Sequence, residues 1–128
     1  MKLDALVFAM QLLGSAHVID GDTIVVEHRT VRLKGIDCAE RGTVLGNAAA
    51  AYLRSRIEGQ VVLCKLTTEK THGRNVGICF GPDGKDLNAE LVSAGQCLSC
   101  PRYLEDYTML EREKLRAQQP RSSYCIQR

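Results

Sequence analysis

The sequence predicts an α+β chain, mainly β: a closed five-stranded barrel with three flanking helices. Two observations predict it. Short segments rich in Val, Ile and Thr, bounded by turn chemistry, supply three strands early and two more after the first helix. Apolar residues at helical spacing mark one helix between these groups and two after them.

Ala16 to Ile19 reads as the first strand, running into the turn signal "DGD". "TIVVEHRTVRLKGI" reads as two strands joined near His28 to Thr30. Val44, Leu45, Ala48, Ala49, Tyr52 and Leu53 predict a helix from about Thr43 to Glu58, stopped by Gly59. "QVVLCKLT" and "NVGICF" are the next strands, linked by the polar "TEKTHGR" as a hairpin. "GPDGK" is a turn, and "DLNAELVSAG" a short helix with Leu87, Leu91 and Val92 on one face. "CLSCPRY" is irregular or briefly extended. A last long helix fits Tyr103 to about Gln118, stopped by Pro120. Five strands connected this way suit an oligonucleotide-binding (OB) type barrel.

With 128 residues the chain is one domain with room for a single core. The expected division is an apolar lead over 1–15, the barrel domain over 16–118 and a polar tail over 119–128. The opening "MKLDALVFAMQLL" reads either as a short export signal or as an N-terminal helix or disordered lead. A net charge of +2 is too small for strong non-specific attraction to a polyanion, so nucleic-acid binding would need locally placed charge. The sequence carries no transmembrane span and no stable membrane insertion is expected.

Six cysteines form an even set, which favours disulfides and an oxidising compartment. Cys97 and Cys100 make a lone CxxC. With no second CxxC and scattered His, that is a weak zinc signal.

The chemistry-bearing residues gather around strand ends. Asp20 and Asp22 follow the first strand, and Asp37 and Glu40 follow the third. In a meander both pairs lie at one rim, where converging carboxylates with a backbone carbonyl suit Ca²⁺ or Mg²⁺. Arg32 alternates with Val31 and Leu33 and so faces away from their side. Arg74 stands at the start of a return strand. Two guanidinium groups beside a bound cation can fork onto a phosphate and stabilise charge on its oxygens.

"VIDGDT", "VRLKGIDCAE", "HGR" and "LNAELVSAG", in this order, resemble the staphylococcal nuclease (thermonuclease) family from about Ala16 to about Ala117. The resemblance implies an OB barrel that hydrolyses DNA and RNA with Ca²⁺ and leaves 3′-phosphate ends. It implies that Asp22 and Asp37 ligate Ca²⁺, that Cys38 offers its carbonyl, and that Glu40 activates or orients the water. It further implies that Arg32 and Arg74 bind the scissile phosphate and that Asp20 supports the site.

There are departures. His72 replaces a tyrosine, and it reads either as a hydrogen-bond partner for a terminal phosphate or as a solvent-exposed loop residue. Pro101 replaces one base-stacking tyrosine, while Tyr103 keeps the place of another. The loop after Glu40 is shorter, and lysine-rich stretches are missing. The cysteines are a further departure. Cys64 and Cys79 lie on the two arms of one hairpin and suit a cross-strand bridge. A Cys100–Cys125 link would pin the tail, and Cys38 and Cys97 either pair or stay free.

The function expected is a monomeric, secreted or periplasmic Ca²⁺-dependent endonuclease acting on DNA and RNA. The competing classes are a non-catalytic nucleic-acid- or protein-binding barrel and a disulfide-rich structural or inhibitor protein. The set Asp22, Arg32, Asp37, Glu40 and Arg74 discriminates against both.

Overall fold

The computed structural model describes residues 8–126. Its strands are β1 (Phe8–Asp20), β2 (Thr23–Val26), β3 (Arg29–Leu33), β4 (Ile36–Asp37), β5 (Val61–Thr71), β6 (Arg74–Phe80) and β7 (Leu98–Ser99). Its helices are α1 (Val44–Ile57), α2 (Leu87–Ser93) and α3 (Glu113–Gln118). Five strands close into a barrel in the order β1-β2-β3-β6-β5, and β4 pairs with β7 in a separate two-stranded sheet. β3 and β6 run parallel and the other barrel pairs antiparallel. This is the five-stranded barrel with three helices that the sequence predicts.

The first strand differs from expectation. It begins at Phe8 rather than Ala16, and Phe8 to Ser15 pair with β5. Leu12, Ala16 and Val18 point into the core, whereas Leu13 is 60% exposed and Met10 41%. Apolar residues on the outward face hid the period-two alternation and made a strand resemble a helix or an export lead. The part of the lead before Phe8 lies outside the described residues.

Two hairpins rest on two-residue turns with left-handed backbone. Val26 opposes Arg29, so Glu27 and His28 form the first turn, at φ 52° and 63°. His72 and Gly73 form the second, at φ 48° and 77°. Both strands of this second hairpin therefore extend further than expected and carry Thr71 opposite Arg74.

The core lies inside the barrel and under α1 and α2. Ile24, Val26, Val31, Leu33, Ile57 and Ile78 are fully buried, with Leu53 and Leu91 beside them. Truncating one such side chain to Ala costs about 2–5 kcal/mol. Asn88 on α2 is also fully buried and acts as a polar rivet. Its Nδ2 donates to the carbonyls of Lys34 and Gly77, at 2.8 and 3.1 Å, and its Oδ1 accepts from the Cys79 N–H.

The long final helix expected over Tyr103 to Gln118 is not formed. Tyr103 to Leu110 is a series of turns ending in a 3₁₀ turn (Thr108–Leu110), and α3 spans only Glu113–Gln118. Tertiary bonds override the helical spacing. The Tyr107 hydroxyl donates to Asp86 Oδ2 at 2.8 Å, and the Glu111 carboxylate is drawn inward onto Ser99 and Arg121.

The three disulfides are Cys38–Cys97, Cys64–Cys79 and Cys100–Cys125. Among the described residues no helix is long and apolar enough to cross a membrane.

Candidate functional site

The site grows from the β2–β3 hairpin. Thr23 opposes Arg32, and the Leu33 N–H donates to the Asp22 carbonyl at 2.8 Å. The ladder thus holds Asp22 beside β3. Its neighbour Gly21 is a packing requirement. A Cβ there would meet Ala49 Cβ at 2.8 Å and Cys38 Cβ at 3.3 Å. This close approach brings the "DGD" turn against the segment after β4, so both acid-bearing loops share one rim.

Two arginines from different strands are tied to Asp22, Arg32 directly and Arg74 through the Thr23 hydroxyl. Arg32 Nη2 stands 3.4 Å from Asp22 Oδ2. Arg74 Nη1 donates to Thr23 Oγ1 at 3.3 Å, and Thr23 Oγ1 donates to Asp22 Oδ1 at 2.9 Å. Arg32 is further aimed by the Leu33 and Ile36 carbonyls, at 2.5 and 2.9 Å. Its side chain is 12% exposed and that of Asp22 17%. Thr23 is a linking residue that sequence reading missed. Its signal was its place next to Asp22 in a turn.

Burial pushes the Asp22 carboxyl up to about 6; the Arg32 charge opposes the rise and adjacent Asp20 adds to it. Burial also pushes Asp20 upward, but the bonds it accepts from Asp22 and Thr23 outweigh this and hold it below its ordinary value. A half-buried pair of carboxylates is chemistry that a hard divalent cation would relieve.

The other acids are less ready. Asp37 is 1% exposed. Its Oδ2 accepts from the Ser122 N–H at 2.7 Å and its Oδ1 from the Ser122 hydroxyl at 2.8 Å. Its carbonyl accepts from Gln119 Nε2 at 2.8 Å. Glu40 is exposed. Cys38 is tied to Cys97. Among the described residues no group of three or more His, Cys, Asp or Glu is arranged to hold a metal. The expected ligands Asp22, Asp37 and the Cys38 carbonyl have donor types that fit a hard divalent cation, and both Asp37 oxygens accept from Ser122.

The Glu40 backbone is nonetheless locked. Its carbonyl accepts from Thr43 Oγ1 at 2.6 Å, while Thr43 Oγ1 caps α1 by accepting from the Gly46 N–H at 3.0 Å. A Cβ on Gly46 would stand 1.8 Å from the Glu40 carbonyl oxygen. A glycine early in an otherwise apolar-periodic helix was the available signal for this contact.

Arg32, Arg74, His72 and Tyr103 line one cavity of about 410 Å³, together with Lys34, Lys70 and Tyr124. Sequence reading missed Lys34 and Tyr124 as cavity residues. Lys34 is buried and pairs with Glu69. The expected substrate residues His72 and Tyr103 therefore share a cavity with both arginines. Asp22 stands behind its wall, bonded to Arg32.

A family model described as staphylococcal nuclease homologue matches residues 30–123. The chain is similar to the succinoglycan biosynthesis protein ExoI of Rhizobium meliloti (strain 1021). The two are 33% identical over 101 residues, covering 70% of this chain and 53% of that protein. It is also similar to uncharacterized endonucleases of Escherichia coli O157:H7 and Escherichia coli. Each of these is 31% identical over 93 residues, covering 70% of this chain and 61% of the relative. The chain thus spans between about half and three fifths of the length of these relatives. Its match over residues 30–123 takes in Arg32, Asp37, Glu40 and Arg74, and on these grounds the chain belongs to the staphylococcal nuclease homologue family.

Proposed function

We propose that the chain is a Ca²⁺-dependent phosphodiesterase that cleaves DNA and RNA endonucleolytically and leaves 3′-phosphate ends. The observation that carries this reading is that Arg32, bonded to Asp22, and Arg74, linked to Asp22 through Thr23, line one cavity with other cations. A binding module has no need for two guanidinium groups gathered beside a half-buried carboxylate at a cavity wall.

In this reading Arg32 turns from Asp22, and Arg74 from Thr23, to the non-bridging oxygens of a phosphate in the cavity. Their charge stabilises the negative charge that builds there as water attacks phosphorus. Glu40 orients that water and takes its proton. The phosphorus bond to the 5′ oxygen breaks, and that oxygen takes up a proton to leave as a hydroxyl. Asp22, Asp37 and the Cys38 carbonyl would hold the divalent cation, with Asp20 in support. When bound, the ion would polarise the phosphate and favour hydroxide nearby. Asp37 can serve only as Ser122 shares or releases its oxygens.

The three disulfides favour an exported enzyme, secreted or periplasmic. A cytoplasmic preparation that retains all three links under a native thiol block would count against export.

The test is release of acid-soluble nucleotides from heat-denatured DNA, with Ca²⁺ and with a chelator, beside Glu40→Gln. Release that needs Ca²⁺ and collapses in the variant supports the reading. A folded, oxidised protein that binds the DNA without cleaving it would make the barrel a binding module.

A further inference from the structure

We propose that Tyr124, carried by the C-terminal tail, is the stacking surface for an unpaired base next to the scissile phosphate. The Cys100–Cys125 disulfide holds it in place. The inference rests on the nuclease reading above and names the part of the substrate that the cavity selects.

Tyr124 lies in a 3₁₀ turn (Ser123–Cys125) that is anchored on both sides. Ser122 is bonded to Asp37 through its N–H and hydroxyl, and Arg121 Nη1 donates to the Ser99 carbonyl at 2.6 Å. Cys125 is fully buried, bridged to Cys100, and its carbonyl accepts from the Arg102 N–H at 3.2 Å. A segment held this firmly could have buried its aromatic ring. Instead Tyr124 is 48% exposed and faces the cavity that Arg32 and Arg74 line.

The second aromatic wall is already engaged. The Tyr103 ring carries the Arg102 guanidinium 5.4 Å from its centroid and Lys34 Nζ at 6.0 Å. Among the described residues Tyr124 has neither a cation over its ring nor a hydrogen-bond partner for its hydroxyl. An open aromatic face beside a line of cations is the chemistry that takes a base while the cations take the backbone. A base within a duplex is already stacked on its neighbours, so such a face selects single strands.

The test measures cleavage and binding of a short single-stranded oligothymidylate and of the same strand with an abasic position beside the cleaved linkage. Tyr124→Ala should raise KM for the intact strand about five- to fifty-fold and leave kcat unchanged. Tyr124→Phe should keep KM within about two-fold, because the ring, not the hydroxyl, does the stacking. The abasic strand should lose the difference between wild type and Tyr124→Ala. Cys100→Ser with Cys125→Ser should reproduce the KM effect by freeing the turn.

An unchanged KM in a folded Tyr124→Ala protein would overturn the proposal. So would equal sensitivity of the intact and abasic strands. If the wild type fails to cleave, the nuclease reading fails on its own. Anisotropy of the same strand, fluorescein-labelled, then decides the Tyr124 proposal: weaker binding by Tyr124→Ala supports it, and equal binding overturns it.

Discussion

The site has two halves that are built differently. Asp22, Thr23, Arg32 and Arg74 stand on barrel strands or at their ends, placed by backbone ladders. Asp37 contacts the other half, a tail from Gln119 to Cys125 that is held by side chains and one disulfide. Ladder bonds are shared across many residues, so the barrel half yields only with the fold. The tail half hangs on a few bonds and can be released alone.

Acid should reveal this difference most strongly. Glu111 is buried, which pushes its carboxyl upward, but bonds from Arg121 and Ser99 outweigh burial and hold it at about 2. A carboxyl whose folded value lies below its ordinary 4.5 stabilises the fold above that value and loses its contribution as pH falls toward 2. The contribution is on the order of 3 kcal/mol. Chemical denaturation between about pH 6 and pH 2 should show this loss, and Glu111→Gln should flatten it. An unchanged slope in the variant would show that the tail is not held by this ion pair.

Removing the Cys100–Cys125 link by paired Ser substitutions should cost about 3 kcal/mol in the same assay. Amide exchange should rise over residues 119–126 while β2 and β3 keep their protection. Equal loosening of both would erase the distinction between the halves.

Gly46→Ala sharpens the comparison from the barrel side. Alanine is the better helix former, yet its Cβ would collide with the Glu40 carbonyl. We expect about a hundred-fold loss in kcat with the fold retained, since small misplacements beside a reacting group are expensive. Nucleotide release and a melting curve on one sample separate the two effects.

Ser122→Ala should be the mildest change, about 1 kcal/mol by thermal melting. Asp37 loses the hydroxyl but keeps the Ser122 N–H.

The same division explains what could be read from sequence. Arg32 was legible because strand alternation fixes the face of each residue between Val31 and Leu33. Asp22 and Arg74 were legible because turn residues mark the strand ends beside them. Ser122 was not, since it meets Asp37 across 85 positions and no local pattern records such a bond. Glu111 was misplaced onto a long helix because spacing alone ignores the pull of Ser99 and Arg121. Phe8 to Leu13 misled for the opposite reason. Outward apolar residues there erased the alternation that a half-buried strand ordinarily displays.

The most direct measurement is a double-mutant cycle on single-stranded DNA cleavage with Arg32→Lys, Arg74→Lys and both together. Lysine keeps the charge and loses the fork. If the two arginines serve one phosphate, each single change lowers kcat about 10²- to 10³-fold, and the double change costs far less than the product of the two. Losses that multiply, or singles that leave kcat intact, would contradict the shared-phosphate site.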